Sequence, residues 1–582
     1  MDTALNARLL AALPPRSSIP LRDRIVDYEI VEMATLFRSH ELTSHDITVA
    51  YLQRIDQLNG PFETYSANGG YNAFVRIDRQ QALAQAREAD LWLQNPNDER
   101  GVAPPLCGIP MGLKDSIGIK GRESKNGTQA YNTNFALEDA TCVGRLRAQG
   151  AVLIGHTICS EHSGDVVGQF AGNAWDPERP PGGSSQGSAV APIARLVAAA
   201  LGEETAGSII IPAAVNGVSA IKPSLGLVSG AGVMPLRTGF DIVGPMARSM
   251  RDASLILSVI AGVDQLNDPQ TLSAPIPPIQ LPISSRPGPQ PLAGLTIGIP
   301  QTDWLELGKP PSESYDLDNK NAFDRFKGQL SDLGAAVVNF PGLDLREEGN
   351  SPYLWPTPFY ELVDDGGQPL LLINGPAGTS YCNQLETNHW TAILEFANSL
   401  QDADQRDKLL ADIRPDFYSI IGRIPLSVRI EAENRRRQQQ RLFEEALDQY
   451  NIDFMMVLPI GAHIGLRSDP YGQQIPVRRH YVELPNALAW PMVTFPIGYG
   501  DTGLISPMPI SAAFWGRRFS EPLVVQAAID FQDRFPEYHR AAPTDPTFGP
   551  RKKPLPPPLG ILQIPPEFST DPVKILEGRR TR

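Results

Sequence analysis

Apolar residues recur at helical spacing through Ile30, Met33 and Phe37, and again through Ile47, Ala50 and Ile55. This pattern predicts helix between Asp27 and about Asn59. Gly60 and Pro61 end it. The Ala-, Gln- and Leu-rich residues from Arg79 to Leu93 predict another helix. A helix-then-strand unit follows, with Val143 and Leu146 on the helical face, Gly150 closing it and AVLIG as a buried strand. From Ser188 to Ala220 the alternation repeats, VAAALG reading as a strand between two helical stretches. Alternating elements of this kind predict an α/β fold with at least partly parallel strands.

Residues 274–292 carry seven prolines and few charges, which predicts an extended linker over the surface before the strand-like GLTIGIP. The strand-like runs DFMMVL and MVTFPIG lie beyond that linker and can complete the same sheet. The expected organisation is an N-terminal extension at 1–26, one domain over 27–540 and a Pro-rich tail over 541–582. Within the domain, 274–292 is the linker and 339–450 a variable, substrate-side insert.

A chain of 582 residues has ample material for a hydrophobic core, and 42% apolar with 20% charged residues is ordinary for a globular protein. The net charge of −14 argues against a nucleic-acid partner, since phosphate binding needs clustered Lys and Arg. The one basic run, Arg435 to Arg437, reads as a solvated helix face. Cys107, Cys142, Cys159 and Cys382 form neither a CxxC nor a metal-ligand spacing with histidine, so a reduced, intracellular chain without a metal is expected. The N-terminus lacks the pattern of a signal peptide, and no stretch approaches the ~20 apolar residues of a membrane span. The expectation is a cytoplasmic monomer or homodimer with no membrane attachment.

The most informative stretch is PGGSSQGSAVAPIARLVAAALGEETAGSIIIPAAVNG, Pro181 to Gly217. Two small Gly/Ser turns are separated there by a helix and a strand. Ser208 lies in the second turn, just before Pro212, where a helix start leaves backbone N–H groups unpartnered. A serine in that place suits a nucleophile beside an oxyanion site, and equally a structural cap. Upstream, LCGIPMGLKDSIGIKG places Lys114 in a short apolar run between turns. A lysine there either snorkels outward or, if buried, acts as the base that a weakly nucleophilic serine needs.

In order, GIPMGLKDSIGIKG, PGGSSQGS and ETAGSIIIPAA resemble the motifs of the amidase-signature family, Ser184 and Ser208 lying 24 positions apart. The likeness spans most of 27–262 and returns near 450–535, where ELPNALAWPMVTFPIGY resembles the family's C-terminal motif. The resemblance implies a central twisted mixed β-sheet covered by helices on both faces. It also implies a Lys114–Ser184–Ser208 triad: Ser208 attacks an amide carbonyl, Ser184 follows a cis peptide bond and relays the proton, and a neutral Lys114 accepts it. The backbone N–H groups of Thr205, Ala206, Gly207 and Ser208 would hold the oxyanion, and no cofactor or metal is needed.

Four positions depart from the family pattern: Gln186 and Ala206 replace glycines, Glu204 replaces aspartate, and Ile210 replaces arginine. Losing that arginine beside a retained acid predicts a reorganised charge network behind the oxyanion turn, and Ala206 requires negative φ. Gly183 to Gly187 also matches G-x-S-x-G, which would make Ser185 the nucleophile of an α/β-hydrolase. Pro177, Pro180 and Pro181 argue against the strand that motif needs. Other readings are an acyl transferase or glutamine-amidotransferase subunit using the same triad, and a non-catalytic binding protein on an amidase fold. Tyr353, Trp355 and Phe359 suggest an aromatic wall for a bulky, apolar or peptide-like amide, or the packing of a large loop.

Overall fold

The computed structural model describes residues 2–61, 69–127, 135–160, 163, 170–234, 239–301, 315–341, 403, 426–466, 479–500, 507–546 and 548. The predicted N-terminal helical region is two helices, Ile30–Arg38 and Ser44–Leu58, and the next helix spans Arg79–Gln94. Thr43 caps the second by accepting the N–H of Asp46 at 3.0 Å. Gly150, at φ +72°, lies just past helix Thr141–Ala148, where a left-handed turn hands the chain to the next strand.

Eleven strands form one mixed sheet. In chain order they are β1 (Phe74–Ile77), β2 (Pro110–Lys114), β3 (Val152–Thr157), β4 (Ala199–Glu204), β5 (Ser219–Lys222), β6 (Ile242–Ala247), β7 (Thr296–Pro300), β8 (Ala336–Phe340), β9 (Phe454–Val457), β10 (Met492–Gly500) and β11 (Met508–Trp515). Across the sheet the order is β1-β3-β2-β4-β6-β5-β10-β11-β9-β7-β8. β2 runs parallel to both β3 and β4, and β7 parallel to β8 and β9; the remaining pairings are antiparallel. Strands from both sides of the Pro-rich segment 274–292 therefore share the sheet, held at its centre by the antiparallel β5–β10 pairing.

Strand alternation divides the apolar residues between two cores. On β3, Leu153 enters one cluster while Val152 and Ile154 enter the other. The first cluster collects helices Ile30–Arg38, Met250–Ile260, Leu317–Asp332 and Glu521–Arg534. The second takes residues of Arg79–Gln94, Gln186–Ile193 and Ile210–Asn216. A third cluster joins Ile210 and Ile211 to Phe443, Tyr481, Val482, Trp490 and Trp515. The sheet is thus covered by helices on both faces, as the resemblance implies.

One surface expectation is corrected. In helix Leu426–Gln449 Arg436 is buried, its guanidinium 4.5 Å from the centre of the Phe240 ring and donating to the Gly239 carbonyl at 3.1 Å. Arg437 is exposed. A 3.6-residue period turns neighbouring arginines to different faces, so a basic run need not be a solvated one.

Helix Gln186–Ile193 sits hard against the sheet. The N–H of Gly187 donates to the Ile158 carbonyl at 2.9 Å, and a Cβ on Gly187 would lie 2.0 Å from the Ala73 carbonyl oxygen. Both neighbours are main chain and cannot swing away. We predict that Gly187→Ala costs about 3 kcal/mol in urea unfolding. A loss within about 0.5 kcal/mol of zero would show that the helix can lift from the sheet.

Candidate active site

Lys114 ends β2 and Glu203 lies near the end of β4, so two parallel neighbours deliver an amine and a carboxylate to the same end of the sheet. Lys114 is completely buried. Its Nζ lies 2.8 Å from Ser184 Oγ, 3.2 Å from the Glu203 carbonyl oxygen and 2.6 Å from Glu203 Oε2. A primary ammonium has three hydrogens, and here three acceptors meet them. The resemblance implies an amine working with serines alone; the structure adds a buried ion pair.

Ser184 follows a cis Gly183–Ser184 peptide bond, as the resemblance implies, and is fully buried. Ser185 is fixed differently: its hydroxyl donates to the Glu203 carbonyl at 3.0 Å and accepts the Glu203 N–H at 3.2 Å. No strand occurs among the described residues between 170 and 185. The G-x-S-x-G match therefore lacks both the strand and the exposed hydroxyl of a nucleophile elbow. Gln186, in place of glycine, accepts the N–H groups of Phe170 and Ala171 at 2.9 and 3.0 Å and donates to Ser160 Oγ at 2.8 Å. It ties the serine turn to the segments on either side of it.

The second turn meets the first through the main chain, the N–H of Ser185 donating to the Ser208 carbonyl at 3.1 Å. Ser208 is 8% exposed where Lys114 and Ser184 are at 0%, so it is the member of the three that a substrate can reach. Its hydroxyl makes no hydrogen bond among the described residues, and neither do the N–H groups of Thr205, Ala206, Gly207 and Ser208. Gly207, at φ +122°, allows the turn, and a Cβ there would strike Ile211 and Val482. Ala206 is not among the residues with positive φ. Four donors unclaimed by protein acceptors beside an accessible serine can hold an oxyanion.

Behind this turn lies a buried network of charged and polar groups. Glu204 Oε2 accepts the N–H groups of Ile209 and Ile210 at 2.7 and 2.8 Å, capping helix Ile210–Asn216, while Oε1 accepts Asn486 Nδ2 at 2.7 Å. Burial raises the Glu204 carboxyl despite the opposing charge of Lys222 and these hydrogen bonds. Lys222, also fully buried, donates to the carbonyls of Pro485 and Trp490. Burial pushes its ammonium down to about 8, against the pull of Glu204 and Glu521. Ile210, where the family has arginine, is buried in the third apolar cluster.

Sequence reasoning singled out Lys114, Ser184, Ser208 and the turn 205–208, and the structure gathers all of them. It missed Glu203, Lys222 and Asn486. Their signals were faint but present: a doubled acid at the end of an apolar strand, and a second lysine closing an apolar run in VSAIKPS. Tyr353, Trp355 and Phe359 lie outside the described residues, as does Cys382. No group of three or more His, Cys, Asp or Glu among the described residues could hold a metal ion, and no described helix is long and apolar enough to cross a membrane.

The Amidase family model matches residues 47–408. A glutamyl-tRNA(Gln) amidotransferase subunit of Roseiflexus sp. (strain RS-1) is 29% identical over 528 residues, covering 86% of this chain and 95% of that one. The putative amidase AmiD of Mycobacterium tuberculosis (strain ATCC 25618 / H37Rv) is 39% identical over 272 residues, 46% of this chain and 53% of that one. Among solved structures, native peptide amidase from Stenotrophomonas maltophilia superposes with a TM-score of 0.66 at 26% identity, covering 89% of this chain and 98% of that one.

The Lys222 network generates a pH signature. Folding lowers the Lys222 value from 10.5 to about 8, so between those limits the unfolded chain binds more protons and stability rises with pH. Relative to Lys222→Met, the wild type should gain about 3 kcal/mol of stability across that window, read by denaturant melts at matched pH. Parallel curves for the two proteins would mean that the buried ammonium carries no such cost.

Proposed function

Because the chain belongs to the amidase family, we propose that it hydrolyses a carboxylic amide through an acyl-enzyme on Ser208, with Ser184 as proton relay and Lys114 as base. The observation that carries this reading is the 2.8 Å contact between Lys114 Nζ and Ser184 Oγ, both sealed from water, beside an accessible Ser208. A serine hydroxyl attacks slowly at neutral pH unless its proton is removed as the bond forms. Ser208 Oγ adds to the carbonyl carbon and its proton passes to Ser184, whose own proton passes to Lys114. The oxyanion sits among the N–H groups of residues 205–208, fixed dipoles that need no reorganisation as charge develops. The proton returns through Ser184 to the leaving nitrogen, the C–N bond breaks, and water repeats the sequence to release the acid. A lysine base suits this economy, since one amine serves as acceptor and then donor.

The substrate we propose is a bulky, apolar or peptide-like amide. Supporting it are the likeness to a peptide amidase over 89% of the chain and the apolar surroundings of the turn, where Ile211 and Val482 crowd Gly207. Burial of Ile210 removes a charge that would otherwise stand two residues from the nucleophile. A cytoplasmic monomer or homodimer belongs to the same proposal. A second reading, the catalytic subunit of an amidotransferase, is favoured by 29% identity to such a subunit over 86% of this chain. Purified alone, an amidase hydrolyses C-terminal peptide amides and aryl amides; a subunit dependent on a partner leaves both intact.

A fluorophosphonate probe should label Ser208, and Ser208→Ala should abolish the adduct. Lys114→Ala and Ser184→Ala should slow labelling on the order of 10³-fold or more. Ser185→Ala should leave the adduct in place, located by peptide mass spectrometry. An adduct on Ser185 instead would overturn the triad.

A further inference from the structure

Glu203 takes no part in the reaction as set out above, yet it is the residue most closely engaged with the base. Its side chain is buried and its Oε2 lies 2.6 Å from Lys114 Nζ. Its main-chain oxygen accepts from the same Nζ, and its N–H and C=O both engage Ser185 Oγ. The other carboxylate oxygen lies 3.2 Å from Thr205 Oγ1, which lies 2.5 Å from Asp241 Oδ1. Ser163 Oγ approaches Oε2 at 3.4 Å. These contacts place the carboxylate against the amine.

Its charge has a chemical consequence. A buried carboxylate without a compensating proton or cation is costly, and here the compensation is the proton on Lys114. An ammonium already bearing three hydrogens has no lone pair with which to accept another from Ser184. A protonated Lys114 would therefore have to lose one hydrogen before the relay could start, which would leave the carboxylate 2.6 Å away unpaired.

Resting on the triad proposed above, we propose that Glu203 is a positioning residue that anchors Lys114 against Ser184 and, by its charge, sets acylation to begin at higher pH than Lys114 would set alone. The proton balance is simple. In the resting site Lys114 carries three hydrogens opposite the Glu203 carboxylate. One leaves to solvent as pH rises. The amine then takes the Ser184 proton while Ser184 takes that of Ser208, as Ser208 Oγ bonds to the carbonyl carbon.

The other titratable groups near the pair do not mimic this behaviour. Asp115 adjoins Lys114 on the chain, accepts the N–H groups of Lys125 and Gly127 at 3.3 and 3.2 Å, and lies 3.6 Å from His156 Nδ1. Burial holds His156 well below the ordinary imidazole range, with the charges of Arg76 and Lys125 acting the same way. Cys159 is pushed well above the ordinary thiol range by burial and by Asp115 and Glu203, against Lys114. Asp241 contacts the Thr205 hydroxyl, which in turn lies 3.2 Å from Glu203 Oε1. Glu203 is thus the carboxylate in direct contact with Nζ among the described residues.

The test is the rate of fluorophosphonate labelling at Ser208 in the full-length protein, followed from about pH 5 to about pH 10, for wild type, Glu203→Gln and Glu203→Asp. Glu203→Gln keeps the shape and removes the charge, so its acidic limb should move to lower pH by about 1–3 units. It should then label faster than wild type, about tenfold or more, on the rising part of the wild-type limb. Glu203→Asp keeps the charge and should retain a limb close to that of wild type. Melting curves confirm that each variant is folded. A folded Glu203→Gln whose limb coincides with wild type, moves to higher pH, or is silent at every pH overturns the role of Glu203 alone. Absence of a wild-type adduct on Ser208 overturns the triad and this inference together.

Discussion

A primary amine sealed inside a protein must have its hydrogens accepted and its charge answered, and the architecture around Lys114 is arranged to do both. Three pieces of chain supply what it needs. β2 delivers the lysine, β4 delivers the carbonyl and carboxylate of Glu203, and the turn at 183–185 delivers the Ser184 hydroxyl. Each is then secured by something else. β2 lies between parallel partners on both sides, Ser185 clips the serine turn to β4, and Gly187 lets the following helix touch the main chain of the sheet. Breaking one partner of a buried ion pair typically costs about 3–5 kcal/mol, so the constraint works on stability as well as on chemistry.

β4 organises the rest because adjacent strand residues point to opposite sides. Glu203 turns to the amine, while Glu204 turns to the N-terminus of helix Ile210–Asn216. The first carboxylate fixes the base. The second claims the N–H groups of Ile209 and Ile210, holding the helix start in place. The N–H groups of 205–208 make no hydrogen bond among the described residues. On the proposed mechanism a single strand end serves both the proton relay and the oxyanion site, and a shift in its register would disturb both together.

The sequence carries the fold plainly where one kind of periodicity dominates. Helix Arg79–Gln94 follows from its helix-forming composition and the unit from Thr141 to Thr157 from its spacing, while the apolar run VAAALG places strand β4 two residues early. Lys114, Ser184 and Ser208 were legible for another reason: they fall in ordered motifs that resemble the amidase-signature pattern, where the Ser208 turn alone suits a structural cap equally well. Glu203 was not, because a carboxylate at a strand end reads as solvated unless its neighbour across the sheet is known, and that neighbour is 89 positions away. Lys222 was hidden likewise; what makes it a buried charge is the pair of carbonyls of Pro485 and Trp490, distant in sequence. Arg436 misled in the opposite sense, since composition places a basic run in water and helical phase places one member inside.

Two of the departures from the resembled pattern, Glu204 and Ile210, meet at one turn, the Glu204 carboxylate accepting the Ile210 N–H at 2.8 Å. Ile210 surrenders a cation behind the oxyanion turn and joins an apolar cluster with Trp490, Trp515 and Val482. Glu204 has other partners. Lys222 on β5 approaches Glu204 from beyond β6, and Asn486 meets the remaining carboxylate oxygen. A cation drawn from the sheet differs from one drawn from the helix itself. It leaves the helix start apolar, with Ile211 and Val482 the side chains nearest to Gly207. Glu204 can stay buried because hydrogen-bond donors share the neutralisation, and the backbone N–H groups it caps are held without calling on those at 205–208. On the proposed reading, the backbone donors of an oxyanion site are kept while an apolar side chain takes the place of a charged one beside it, which is how one reaction can be kept as its substrate changes.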